Sequence, residues 1–187
     1  RRGCEVIIVH FYNKKKGVKE KIVQLGEKLS AYQGRTKVIT IPFLELQQQV
    51  IMNVPAKQRM IIYRRLMFKI AEKLLEEDKA LGFVTGDNVA QVASQTLENL
   101  KVIWRATKEN VYAPLLSRDK QDIIRIAKMI GTYKTSIKPY SDCCSYLIAK
   151  HPETKADLDM IKKIEKPLKL DKLIKKAFEG KEVITLH

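Results

Sequence analysis

The sequence lacks the features that mark secreted and membrane-spanning proteins. Its three cysteines are an odd number, which does not suit a disulfide framework. It has no run of about 20 apolar residues, so we expect no transmembrane helix. Arg1-Arg2-Gly3 leads directly into an apolar run and does not resemble a signal peptide. These absences favour a cytoplasmic protein without membrane association.

Acidic residues are scarce relative to basic ones. The chain has 36 Lys and Arg against 21 Asp and Glu, which gives a net charge of +15. Such an excess favours a polyanionic partner, because each cation that neutralises a phosphate releases a counterion. Charge alone does not separate RNA from DNA or from an acidic membrane surface. A lysine-rich, ion-paired surface of a thermophile's protein is the alternative.

Apolar runs alternate with helical periods along the chain. Residues 5–12 form a β-branched run that predicts a strand buried on both faces. Residues 18–32 predict a helix ended by Gly34, and residues 36–41 predict a second strand. Further elements are predicted as a strand at 80–85, a strand or extended loop at 111–116, and helices at 43–52, 56–78, 94–100, 119–130, 153–165 and 170–178. This order predicts one α/β domain over 1–187, with an open, mostly parallel sheet flanked by helices and a helical C-terminal extension over about 153–187.

The segment from Val84 to Thr96, VTGDNVAQVASQT, is the densest polar cluster that follows a predicted strand. Ligands of such sheets bind at the carboxyl ends of the strands. Gly86 permits close approach to a ligand, and Asp87 supplies a carboxylate. The start of the following helix, near Gln95, favours a phosphate. The alternative is a capped turn between a strand and a helix.

The letters of this segment resemble the signature of the tRNA 4-thiouridine synthetase family, called ThiI. That family is a PP-loop ATP pyrophosphatase with a Rossmann-like fold, joined to an N-terminal RNA-binding region. The resemblance spans about residues 3–155. Further matches occur in the same order: Gly3-Cys4-Glu5-Val6, His10-Phe11-Tyr12, Arg59-Met60, Arg64-Arg65, Pro114-Leu115-Leu116, Asp119-Lys120, Asp142-Cys143-Cys144 and Lys150-His151-Pro152.

The resemblance implies an enzyme that adenylates a uridine in tRNA and then replaces its oxygen with sulfur. ATP and Mg²⁺ are the implied cofactors. The implied partners are tRNA, a persulfide donor such as a cysteine desulfurase, and a second copy in a homodimer. Some members also serve thiamine biosynthesis. The alternatives are another PP-loop tRNA-modifying enzyme and a non-catalytic tRNA-binding module, which would not depend on ATP.

The family's phosphate loop, SGG-x-DS, is expected upstream of Arg1. We therefore expect this chain to be a fragment of an adenylation and sulfurtransferase domain, without its first strand and phosphate loop. Alone, it is expected not to adenylate RNA. The loop's backbone N–H groups would otherwise bind the pyrophosphate.

The resemblance also assigns catalytic candidates. Lys120 matches the family's catalytic lysine and could stabilise charge at the α-phosphate, although a solvated lysine is the alternative. Cys144 matches the cysteine of the sulfur relay, Cys143 is a second candidate, and both could instead be buried structural residues. Cys4 is expected in the core. We predict no metal cluster, because adjacent cysteines are poor joint ligands.

The resemblance further implies two binding surfaces. The adenine is expected near His10 and Phe11 at the end of the first strand, bordered by Gly86, Asp87 and Gln95. A basic surface is expected to contact tRNA, and its candidates are Arg59, Arg64, Arg65, Lys14, Lys15 and Lys16. The alternative for the arginines is that some of them brace Asp87 internally.

Overall fold

The computed structural model describes residues 3–13, 18–89, 92–139, 143 and 147–187, with the main chain alone at 18 and 19. The chain divides into two compact units. The first unit comprises residues 1–44, 118–143 and 180–187, and the second comprises residues 45–117 and 144–179. The strands are β1 (Ile8–Tyr12), β2 (Thr36–Pro42), β3 (Phe83–Val84), β4 (Val111–Tyr112) and β5 (Glu182–Leu186). The helices are α1 (Val18–Gln33), α2 (Leu44–Asn53), α3 (Arg59–Asp78), α4 (Leu97–Trp104), α5 (Lys120–Met129), α6 (Tyr133–Ser136), α7 (Leu158–Glu165) and α8 (Asp171–Glu179).

The first unit is built on a three-stranded sheet of order β1-β2-β5. β1 and β2 are parallel, as their connection through α1 requires, and β5 is antiparallel to β2. The central strand β2 supplies the core, with Val38, Ile39 and Ile41 fully buried. At Gly26 helix α1 lies so close to the sheet that a Cβ would be 2.7 Å from a methyl group of Leu186. A small residue there allows the helix to pack on the sheet.

The second unit is mainly helical and is organised around α3. This helix buries Ile61, Ile62, Tyr63 and Ile70 completely, and it packs against α4 and α8. The short strands β3 and β4 pair in parallel and form a separate two-stranded sheet. β3 lies next to α3, because the ring of Phe83 in β3 packs against the ring of Phe68 in α3 with a centroid distance of 5.3 Å.

The predicted α/β class with parallel strand pairing is confirmed, but several details differ. β1 is only half-buried and begins at Ile8, because β2 is its only strand partner among the described residues. Cys4 is therefore exposed, and its predicted place in the core is wrong. The strand predicted at 80–85, and the strand or extended loop predicted at 111–116, each contain a strand of only two residues. The sequence did not predict β5, which follows α7 and α8 within the expected helical extension.

Gly34 and Gly131 end helices, as the sequence predicts. Each has a positive φ, 78° at Gly34 and 74° at Gly131, which a residue without a side chain adopts without strain. The Gly34 N–H donates to the Ser30 carbonyl at 2.7 Å and closes α1. In the described part of the chain, no helix is both long enough and apolar enough to span a membrane.

Candidate functional site

The loop that follows β3 is organised around the carboxylate of Asp87. Arg64 Nη2 donates to both carboxylate oxygens, at 2.7 and 2.8 Å. Thr85 Oγ1 donates to Oδ2 at 2.9 Å, and more distant donors are Gln95 Nε2 at 3.4 Å and Trp104 Nε1 at 3.3 Å. Asp87 is 2% exposed. Its carboxylate is thus occupied by donors of the protein itself, which favours a positioning role over direct contact with a nucleotide.

Arg64 retains one unused donor in this cluster. Its Nη1 atom is buried and has no hydrogen-bond partner among the described residues. The guanidinium comes from α3 and reaches a loop 23 residues later in the chain. Because a buried carboxylate without a cation is costly, the pair fixes the loop relative to α3. For Arg64, the structure therefore shows the alternative stated above, in which an arginine holds Asp87 within the protein.

Two further contacts hold the backbone of the same loop. Asn88 Nδ2 donates to the Leu115 carbonyl at 2.8 Å, and the Val89 N–H donates to the Leu116 carbonyl at 3.0 Å. Gly86 lies between these contacts and the Thr85 N–H, which donates to the Tyr112 carbonyl at 2.9 Å. Gly86 is exposed, and a Cβ there would meet no heavy atom within 4 Å. The loop therefore presents open space at Gly86 on a rigid support, as a ligand-binding loop requires.

The rest of the VTGDNVAQVASQT segment anchors α4. Thr96 caps this helix by accepting from the Asn99 N–H at 3.2 Å, and its hydroxyl donates to the Thr154 carbonyl at 2.7 Å. The buried Asn99 side chain donates to the Glu153 carbonyl at 2.7 Å and accepts from the Ala156 N–H at 2.9 Å. Side-chain bonds from Thr96 and Asn99 thus tie the start of α4 to residues 153–156.

The first unit holds the other nucleotide and catalytic candidates. His10 and Phe11 are adjacent in β1 and half-buried. Successive strand residues face opposite sides, and the Phe11 ring packs edge-on against Phe43 at 5.5 Å. Lys120 is the first residue of α5 and is exposed. Cys143 is buried, with 4% of its surface exposed.

Some candidates lie outside the described residues. They are Cys144 and the basic residues Lys14, Lys15 and Lys16.

The arginines proposed for tRNA contact are bound within the second unit. Arg59 donates to three backbone carbonyls, of Ile51, Val54 and Leu147, each at 2.9 Å. Arg65 is buried and makes a bidentate pair with Glu165, at 2.7 and 3.0 Å. With Arg64 on Asp87, none of the three presents a free guanidinium to solvent. This arrangement favours structural roles over RNA contact for all three.

Glu165 is held ionised by this pairing. Its burial raises the pKa of the carboxyl, but the hydrogen bond and charge of Arg65, with those of Lys69, outweigh it and lower the pKa below 4.5. Lys69 Nζ contacts the same carboxylate at 3.1 Å. This ion pair joins α3 to α7, and its two residues, Arg65 and Glu165, are 100 positions apart in the sequence.

Comparison with known proteins decides the family. The model of the thiamine biosynthesis protein (ThiI) family matches residues 1–170. The chain belongs to the ThiI family. This confirms the resemblance drawn from the VTGDNVAQVASQT segment and the ordered matches around it.

Similar ThiI-family proteins cover the whole chain but extend beyond it. A probable tRNA sulfurtransferase of Thermus thermophilus is 40% identical over 99% of this chain and 46% of its own length, and one of Acetivibrio thermocellus is 41% identical over 100% and 48%. The crystal structure of a 4-thiouridine synthetase–RNA complex with bound ATP matches with a TM-score of 0.94 and 38% identity, over 100% of this chain and 50% of that chain. The chain thus spans about half the length of these relatives.

Sequence reasoning missed several residues of the Asp87 cluster and its supports. Trp104 donates to Asp87, and the Asn99 side chain bonds to Glu153 and Ala156. Trp104 is the only tryptophan of the chain, which is a signal that sequence reasoning could have used. Glu165 gave no such signal, because its partner Arg65 is too distant in sequence.

Proposed function

We propose that the complete protein is an ATP-dependent tRNA sulfurtransferase that makes 4-thiouridine, and that this chain supplies part of its adenylation domain. The observation that carries the proposal is the match over the entire chain to a 4-thiouridine synthetase bound to RNA and ATP. The rigid loop at Gly86, open to solvent at the end of β3, supports it. The position of this loop is the one where ligands bind in α/β sheets.

The proposed chemistry activates a poor leaving group. The uridine O4 attacks the α-phosphate of ATP and pyrophosphate leaves, which converts the oxygen into part of an AMP leaving group. The terminal sulfur of a persulfide then attacks C4 and AMP departs. A second thiol cleaves the S–S bond, which leaves 4-thiouridine and a disulfide. The sulfur would come from a donor such as a cysteine desulfurase, and Cys143 or Cys144 is proposed to supply the resolving thiol.

Lys120 and the Gly86 loop have distinct roles in this proposal. The exposed ammonium of Lys120 stabilises negative charge that develops on the α-phosphate. The loop at Gly86, held by Asp87 and Arg64, lets the nucleotide approach the backbone. Mg²⁺ is proposed to accompany ATP, since Mg²⁺ in such sites takes many of its ligands from phosphates and water. His10 and Gln95 are proposed to border the nucleotide.

Replacing Lys120 with alanine in the full-length protein tests this function. We expect 4-thiouridine formation to fall about 100-fold or more, because removal of one preorganised charge typically costs that much. Thermal stability should stay unchanged, since Lys120 is exposed. Lys134→Ala, another exposed lysine of the same unit, is the matched control and should retain thiolation. Unchanged thiolation in Lys120→Ala would remove the assignment.

The non-catalytic module is the second candidate function, favoured only by the charge of +15. It predicts tRNA binding that neither ATP nor Lys120 affects. Formation of AMP that depends on tRNA would exclude it.

A further inference from the structure

A basic groove lies on the second unit, and its lining includes Trp104, the residue whose indole N–H donates to Asp87. It is formed by α4, the residues after α4 and the start of α7, and its volume is about 770 Å³. The lining includes four cationic side chains, and no Asp or Glu lines it among the described residues. These cations are Lys101, Arg105, Lys108 and Lys162.

The four cations of this basic groove are exposed and are not part of the ion pairs found in the described chain. Lys101 and Arg105 are four residues apart and project from the same side of the C-terminal end of α4. Glu72 positions the backbone of Lys108. Its carboxylate accepts from the Thr107 hydroxyl at 2.8 Å and from the Lys108 N–H at 3.4 Å. The positive charge is therefore concentrated on an ordered support.

Between the cations the groove is apolar. Leu97 is 62% exposed, and the indole of Trp104 is half-buried. The indole N–H is directed to Asp87, which leaves the carbon surface of the ring to line the groove. A lining of cations around exposed apolar and aromatic carbon fits a nucleic-acid strand, which presents both phosphates and base faces.

We propose that this basic groove binds the phosphate backbone of the tRNA substrate. The inference rests on the proposed function and assigns the RNA contact to residues other than the α3 arginines. Charge complementarity carries it, since four exposed cations without a lining carboxylate create a local positive potential that attracts a polyanion. The contacts position the RNA and do not read its sequence.

The test uses the full-length protein with Lys101, Arg105 and Lys162 all changed to alanine. Its affinity for unmodified tRNA is measured across a range of salt concentrations. We expect affinity at low salt to fall about 10-fold or more. The slope of log affinity against log salt should decrease by roughly two to three, because each lost phosphate contact removes about 0.7–0.9 from it. Affinity for ATP and the melting temperature should not change.

Lys172→Ala, an exposed lysine of α8 in the same unit, is the control for loss of charge alone and should leave the slope within about one. Unchanged tRNA affinity in the triple variant would overturn the groove proposal while wild-type thiolation stands. A loss confined to ATP affinity would also overturn it, because the groove would then bind a nucleotide. A change in oligomeric state with tRNA affinity intact would overturn it by assigning the groove to a second copy of the protein. Wild-type protein that fails to bind tRNA would overturn the proposed function as well.

Discussion

Two sets of basic residues in the second unit have opposite environments. The arginines of α3 are directed inward: Arg64 binds Asp87 and Arg65 binds Glu165, with side-chain exposures of 14% and 3%. The cations of the basic groove, such as Lys101 and Arg105, are exposed and line a surface without carboxylates. The first set stabilises the fold, and the second is available for a polyanion.

This contrast explains why the number of basic residues in a segment does not show whether they are available to a polyanion. In the sequence, the α3 arginines form the denser cluster and lie among the residues that carry the family resemblance, so sequence reasoning assigned them to RNA contact. In the fold, each of these arginines has a partner within the protein. Without that partner, burial would remove water from the guanidinium charge and nothing would compensate for the loss. The groove residues are separated in sequence by as many as 61 positions, from 101 to 162, and only the fold brings them to one groove.

Removing Arg65 should have the largest effect on stability. Arg65→Ala leaves Glu165 buried without its main partner, and we expect the free energy of unfolding to fall by about 3–5 kcal/mol. Denaturant titration measures this loss. Lys69→Ala, which removes the more exposed partner of Glu165, should cost less than about 1 kcal/mol. If Arg65→Ala kept its stability but lost tRNA affinity, the inward role of the α3 arginines would be wrong.

Removing Arg64 should have a smaller effect on stability and a specific effect on the nucleotide. Arg64→Ala should cost about 2–3 kcal/mol, since Asp87 keeps Thr85, Gln95 and Trp104 as donors. Because the loop at Gly86 loses its support, KM for ATP should rise while tRNA affinity is retained. Asp87→Asn removes the same charge pair from the other side and should reproduce this pattern. A fall in tRNA affinity with normal KM for ATP would instead assign Arg64 to RNA.

Acid should weaken the second unit through Glu165. Its folded-state pKa lies below its ordinary value of 4.5, so its contribution is complete above that value and is lost as pH falls through the folded-state pKa. The stability difference between wild type and Glu165→Gln should therefore shrink as pH falls below 4.5, in denaturant titrations at a series of pH values. A difference that stayed constant would exclude the ion pair as its source.

Local patterns predicted much of the architecture, and long-range pairing explains what they missed. The β1–α1–β2 unit was visible because its apolar periods and Gly34 are local signals. β5 was missed because Glu182–Leu186 forms a strand only by pairing with β2, and Thr36 and Leu186 at one end of the register are 150 positions apart in the sequence. The loop at Gly86 was predicted from its residues, but two donors to Asp87, Arg64 and Trp104, come from α3 and α4, which sequence spacing does not show.

The most direct test of the proposed function is thiolation of tRNA by the full-length protein. Purified protein is given unmodified tRNA, ATP with Mg²⁺ and a persulfide-loaded cysteine desulfurase, and the digested tRNA is examined by mass spectrometry. We predict 4-thiouridine in proportion to AMP and pyrophosphate, and none when ATP is omitted. Thiolation without ATP, or AMP formation with no 4-thiouridine, would contradict it.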